Sequence, residues 1–202
     1  MKTNPAVRSF RAAGTMQSCI APTCAHGEQD MKSIWIATAA GAALFAATAT
    51  PAAEIVRHKS AGPGPAIILQ GVTVPAGAEM LYLSGQLASP IDPAKPMSPS
   101  STIADFGDTK TQTISTFNKI KAALAEHGYT MADVIKLTVF VAGDPKLGGK
   151  MDFAGMNEGY KMFFGTAENP NMVARSTIQV AALAAAPFLV EIEATAAKMP
   201  AK

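Results

Sequence analysis

Apolar and polar positions alternate strictly from Val134 to Val141 (VIKLTVFV), so that Ile135, Leu137, Val139 and Val141 share one face. That period of two predicts a strand with one buried side. Between Thr109 and His127 the period changes: Ile114, Phe117, Ile120 and Leu124 recur at helical spacing, Asp108 suits the N-cap, and Gly128 suits the position just past the end. A second helix is predicted from Asp152 to Phe164, with Phe153, Met156, Tyr160 and Phe163 as its apolar stripe and Gly165 as its stop. Upstream, Ile67 to Val74 reads as a strand, Pro75 to Gly77 as a turn, and Met80 to Ser84 as the hairpin partner. Ser89 to Ser101, rich in Pro and Ser, reads as a loop. Two strands close the chain, Ser176 to Leu183 and Leu189 to Ala196, and an antiparallel hairpin around Ala184-Ala185-Ala186-Pro187 is expected. The order β-β-α-β-α-β-β leaves both helices free to cover one sheet face, which is an α+β architecture.

The first 53 residues follow a different logic. From Met31 there is one positive charge, Lys32, then an alanine-rich apolar run from Ile34 to Ala49, then small residues through Ala53. This is the order of a secretory signal peptide. The run is shorter than the roughly 20 residues of a membrane span, so no stable membrane anchor is expected. Residues 1–30 are polar and lack periodicity, and we read them as a leader upstream of the true start at Met31. Cys19 and Cys24 both lie in it, with only His26 nearby, and do not close a tetrahedral metal site. The domains expected are therefore a leader (1–30), a signal peptide (31–53) and one working domain (54–202), exported to the periplasm or secreted.

Removing that segment changes the charge. The whole chain has 17 basic and 15 acidic residues. Without Lys2, Arg8, Arg11 and Lys32, and without Glu28 and Asp30, the domain keeps 13 of each and is formally neutral. A neutral domain without a basic run lacks the electrostatic footprint of a nucleic-acid binder. It also lacks cysteine, so no disulfide supports it.

Few residues in it offer chemistry. His58 and His127 have no partner at metal-ligand spacing, and His127 suits a helix C-terminus. Gly143 to Lys150 (GDPKLGGK) has the wrong spacing for a phosphate loop, with Met151 where Ser or Thr belongs, and reads as a turn. Of the domain's 13 basic residues only Arg57 and Arg175 are arginine. Arg57 lies near the domain's start. Arg175 opens an apolar strand, where a charge is costly unless paired. Its planar fork can grip a carboxylate with two parallel hydrogen bonds, or it can form a structural ion pair with Glu191 or Glu193. Those two glutamates alternate with Val190, Ile192 and Ala194, and their plain reading is a solvated outer face.

Several segments together carry a resemblance. Leu83-Ser84-Gly85-Gln86, Asp133 to Val141, Met156-Asn157-Glu158-Gly159-Tyr160 with Phe163-Phe164, Ala174-Arg175-Ser176 and Val190-Glu191-Ile192-Glu193-Ala194 closely resemble the reactive-intermediate deaminase (RidA/YjgF) family. The resemblance spans about Ile67 to Ala197. It implies a chorismate-mutase-like fold, one mixed sheet with two helices on one face, assembled as a barrel-like homotrimer with sites between subunits. It further implies that Arg175 clamps the substrate carboxylate and that Glu191 positions or polarises water. Backbone groups near Ser84 and Gly85, together with Asn157 and Thr177, would complete the pocket. Two departures stand out: Gly64-Pro65-Ala66 occupies the place of the family's Gly-Pro-Tyr, so its pocket tyrosine is absent, and Thr177 replaces a frequent cysteine.

The function implied is hydrolysis of small 2-imino acids to 2-oxo acids and ammonia, by a deaminase that needs neither cofactor nor metal. The alternative is a non-catalytic trimeric binder of small carboxylates. In the expected final hairpin Glu191 sits on the order of 16 Å from Arg175 along the sheet, so one substrate could meet both only across two subunits. Export carries its own test. N-terminal sequencing of protein from the periplasm is expected to begin between Thr50 and Glu54, and a cytoplasmic chain that keeps Met1 contradicts it.

Overall fold

The computed structural model describes residues 53–62 and 66–201. The leader, and the signal-peptide reading apart from its last residue Ala53, lie outside the described residues, as do Gly64 and Pro65. Six strands run in the order β1 (Val56–Lys59), β2 (Leu69–Thr73), β3 (Glu79–Leu87), β4 (Val134–Ala142), β5 (Ala174–Val180) and β6 (Val190–Lys198). Helices α1 (Ile103–Phe106) and α2 (Thr109–Glu126) follow β3, and α3 (Phe153–Tyr160) follows β4. The architecture is α+β, as expected. In addition to the expected elements there are β1, which is too short and too polar to show a period, and the one-turn α1.

Both expected hairpins are replaced by other pairings. The sheet order is β1-β2-β5-β4-β6-β3. β2 pairs antiparallel with β1 and touches β5 in parallel at Leu69 and Ala174; β3 pairs antiparallel with β6. β5 and β6 are not neighbours, because β4 lies between them, parallel to β5 and antiparallel to β6. The reason is burial. Ile135, Leu137, Val139 and Val141 are all buried, with exposures of 6% or less, and so apolar a strand belongs at the sheet centre. The parallel pairing with β5 then requires a crossover, and α3 supplies it.

Both helices cover the sheet face that carries Leu137, Val139 and Val141. Phe117, Ile120 and Leu124 of α2, Met156 and Tyr160 of α3, and Ile192 of β6 close the core with them. Each such side chain contributes about 1.5–3 kcal/mol by leaving water. The expected ends of α2 form as read: the Asp108 carboxylate accepts from the Thr111 amide at 2.8 Å, and Gly128 takes φ +73°. Two expectations about stripes fail. Ile114 is only half-buried, and the first turns of α2 instead bury Thr109, Gln112, Thr113 and Thr116. Gln112 explains part of that, since its amide donates to the carbonyls of Gly107 and Pro187 and accepts from the Leu189 N–H, all within 3.0 Å. Phe153 is 45% exposed, not core.

The helices approach closely where α3 lacks a side chain. A Cβ on Gly159 would stand 2.7 Å from Cγ2 of Thr113. The GDPKLGGK segment forms a turn, with Asp144 bridged to Lys150 around a short 3-10 helix at Pro145–Leu147. The other sheet face, bearing Lys136, Thr138, Phe140, Ser176, Ile178 and Glu193, is covered by neither helix; Ile178 and, on β3, Tyr82 are exposed.

Candidate functional site

Strand register decides where each candidate points. Arg175 is level with Leu137, which faces the helices. Its side chain therefore enters the layer between β5 and α3. There Nη2 donates to Oδ1 of Asn157 at 2.7 Å, and the guanidinium carbon lies 4.5 Å from the ring centroid of Tyr160 and 6.0 Å from that of Phe153. Nη1 is buried without a protein partner. Thr177, two residues on along the same face, also buries a hydroxyl oxygen that has no partner. Asn157 and Phe153 in turn line an open groove of about 640 Å³ with Leu147, Met151 and Lys161.

Among the described residues no carboxylate neutralises Arg175. The ion pairs among the described residues are Lys95–Asp92, Lys110–Glu158 and Lys198–Glu79. The pairing with Glu191 or Glu193 weighed from the sequence does not form, and the register explains why. Glu191 is level with Phe140 and Glu193 with Thr138, the positions of β4 that face away from the helices. Burial pulls the Arg175 guanidinium below its ordinary pKa, and the nearby Tyr160 phenol opposes that. A guanidinium is not deprotonated in proteins, so the group stays cationic. Tyr160 shifts upward because it is buried, with the Val173 backbone and the cations Arg175 and Arg57 acting against the shift.

Glu191 belongs to a second cluster. β3 carries a bulge between Leu83 and Gln86, at Ser84 and Gly85. The Glu191 carboxylate occupies the space where a side chain on Gly85 would be, with Cδ 2.8 Å from an ideal Cβ. A side chain at position 85 would displace the Glu191 carboxylate from this place. Ser84 at the same bulge is exposed. The serine of the Arg-Ser motif also points to this side, where its hydroxyl accepts from Lys136 Nζ at 2.9 Å.

The six candidate residues thus form two groups. Arg175, Asn157 and Thr177 lie on the helix side of the sheet; Ser84, Gly85 and Glu191 lie at the bulge, with Glu191 on the other side. Arg175 and Glu191 are two strands and three residues apart, on the order of 14 Å between Cα atoms, with the sheet between them. The separation argued from the expected hairpin persists, but its cause is the intervening β4 and not the length of a hairpin.

Two residues in this region escaped sequence reasoning. Tyr160 was read as core alone, although a buried ring facing a guanidinium does more than fill space. Arg57 donates from Nη1 to the carbonyls of Val134 and Met172 and from Nη2 to that of Ala132, all within 3.0 Å. It ties β1 to the segments that lead into β4 and β5. The only signal in the sequence was its rarity among lysines.

Comparison with known proteins agrees with this architecture. Residues 70–198 match the family described as Endoribonuclease L-PSP, and the chain belongs to that family, the Rid (RidA/YjgF) proteins. It is 39% identical over 118 residues to a RutC family protein of Pyrococcus horikoshii, covering 58% of this chain and 79% of that one. It is 33% identical over 130 residues to the 2-iminobutanoate/2-iminopropanoate deaminase of Salmonella typhimurium, covering 64% and 86%. A crystal structure of a Rid family protein of unknown function from Yersinia pestis shares the fold, with a TM-score of 0.53, 23% identity, and coverage of 70% of this chain and 97% of that one.

Stability tests the absence of a charged partner. Breaking a buried ion pair costs about 3–5 kcal/mol. Arg175→Met removes the cation, one hydrogen bond and a ring contact but breaks no ion pair, so the urea-unfolding free energy is expected to stay within about 2 kcal/mol of wild type. A loss of about 3 kcal/mol or more contradicts a guanidinium without a carboxylate.

Proposed function

We propose that this chain is an exported, cofactor-independent deaminase that hydrolyses small 2-imino acids, and that its sites form between subunits of a homotrimer. The observation that carries the proposal is the half-buried Arg175 cation, fixed on one side by Asn157, with Nη1 buried and no carboxylate beside it among the described residues. A planar guanidinium in that state is completed by a carboxylate ligand. The names of relatives such as the Salmonella typhimurium deaminase support the substrate class. The export reading rests on the Lys32 to Ala53 pattern.

The chemistry asks for position more than for reactivity. A protonated imine is already electrophilic at C2. Water adds its oxygen there and one of its protons passes to the nitrogen; the C–N bond breaks with its electron pair on nitrogen, ammonia leaves, and the hydroxyl proton released as the 2-oxo acid forms converts that ammonia to ammonium. Arg175 fixes the carboxylate, and Glu191 accepts a hydrogen bond from the attacking water. Holding water and substrate in line in this way accounts for several kcal/mol of barrier. Since Arg175 and Glu191 face opposite sides of one sheet, a substrate that touches both must lie between two chains. The apolar Tyr82 and Ile178 on the uncovered sheet face suit such an assembly.

The test mixes subunits. An amino-acid oxidase generates the imine, and semicarbazide trapping reports its lifetime. Arg175→Ala and Glu191→Ala homotrimers are each expected to be inactive, and exchanged mixtures are expected to regain part of the wild-type rate. Mixtures that stay inactive after verified exchange contradict the shared site. A wild type that binds 2-oxobutanoate yet leaves the imine lifetime unchanged identifies a carboxylate binder without turnover.

A further inference from the structure

A cation that must receive an anion has to be held still without being neutralised. Asn157 meets that requirement on one edge, because its amide oxygen is polar but uncharged. It does not by itself fix the plane of the guanidinium. The ring of Tyr160 lies 4.5 Å from the guanidinium carbon, within the range of a cation–π contact. The ring is closely packed in its turn. It is 1% exposed, stacked on Phe164 at 5.0 Å and 21°, and flanked by Phe117 at 6.3 Å. Gly159, the residue before it, is pressed against Thr113 of α2. Phe153, by contrast, is half exposed and 6.0 Å away, a weaker support.

We propose that Tyr160 is a positioning residue: its buried ring face holds the Arg175 guanidinium for an incoming carboxylate through a neutral contact that leaves the full positive charge to the ligand. The proposal rests on the reading of Arg175 as a carboxylate clamp. It adds a reason for the missing acid beside Arg175: a carboxylate in the place of the ring would hold the cation equally well and cancel the charge the ligand needs. It also assigns a role to a tyrosine that core packing alone would allow to be leucine.

The test separates the ring's electrons from its volume. Tyr160→Phe serves as the reference, and fluorinated phenylalanines with one, two and three ring fluorines are then placed at position 160. Fluorination withdraws electrons from the ring face with little change in size. In the ligand-free protein the NMR order parameter of the Arg175 Nε–H group is expected to fall along the series. The Kd for 2-oxobutanoate is expected to rise along it, by between about twofold and thirtyfold, while the melting temperature does not follow the fluorine count. An order parameter that stays constant along the series overturns the positioning role whatever happens to binding. A constant Kd beside a falling order parameter overturns the claim that positioning serves the ligand. If the order parameter falls but the Tyr160→Phe protein and wild type bind no 2-oxobutanoate, the ring contact stands and the clamp reading fails.

Discussion

β4 stands between β5 and β6, and that placement decides which side chains can meet. It sends Arg175 to the helix side through its register with Leu137, and it sends Glu191 to the far side through its register with Phe140. A backbone layer then separates the cation from the acid, whose Cα atoms are about 14 Å apart. No rotamer of either side chain closes that gap within one chain. The position of β4 follows from its composition, since its helix-facing Leu137, Val139 and Val141 are fully buried and its central place lets β6 and β5 flank it.

The charge balance of the Arg175 layer follows from the same constraint. Burying a cation without a counter-ion is unfavourable, and the structure offsets only part of that cost with an amide oxygen and a ring face. What remains is a buried Nη1 and a nearby Thr177 hydroxyl, both without partners. Thr109, Thr116, Tyr160 and Asn169 also bury polar atoms without partners, so what distinguishes this pair is that one member is a cation beside an open groove. On the other side, the Gly85 bulge gives the Glu191 carboxylate its space, and a side chain at that position would expel it. In the proposed function each of these clusters is one half of a site, and the other half comes from a second copy of the chain.

The elements were largely legible in the sequence, and their neighbours were not. The alternation in Val134 to Val141, the caps of α2 at Asp108 and Gly128, and the turn at Gly143 to Lys150 all depend on residues close in the chain, and all form as read. Pairing depends on competition for the buried centre of the sheet. Adjacent strands such as β5 and β6 suggest a hairpin, and nothing local reveals that a more apolar strand displaces it. The stripes failed where polar side chains serve distant backbone: Gln112 is buried because the segment at Pro187 and Leu189 needs its amide. Arg175 stood out because a charge opened an apolar strand. Its neutral supports did not, because Tyr160 at helical spacing is indistinguishable from a core residue until the ring is seen facing the guanidinium.

The central claim is that a carboxylate ligand completes Arg175 at a boundary between two copies of the chain. A crystal structure of the protein soaked with 2-oxobutanoate tests it most directly. The ligand carboxylate is expected to pair with two guanidinium nitrogens of Arg175, near Thr177, with the 2-oxo group facing the Gly85 bulge and Glu191 of a neighbouring chain. An Arg175 paired with a carboxylate from its own or another chain, or a ligand that reaches Glu191 of the same chain, contradicts it.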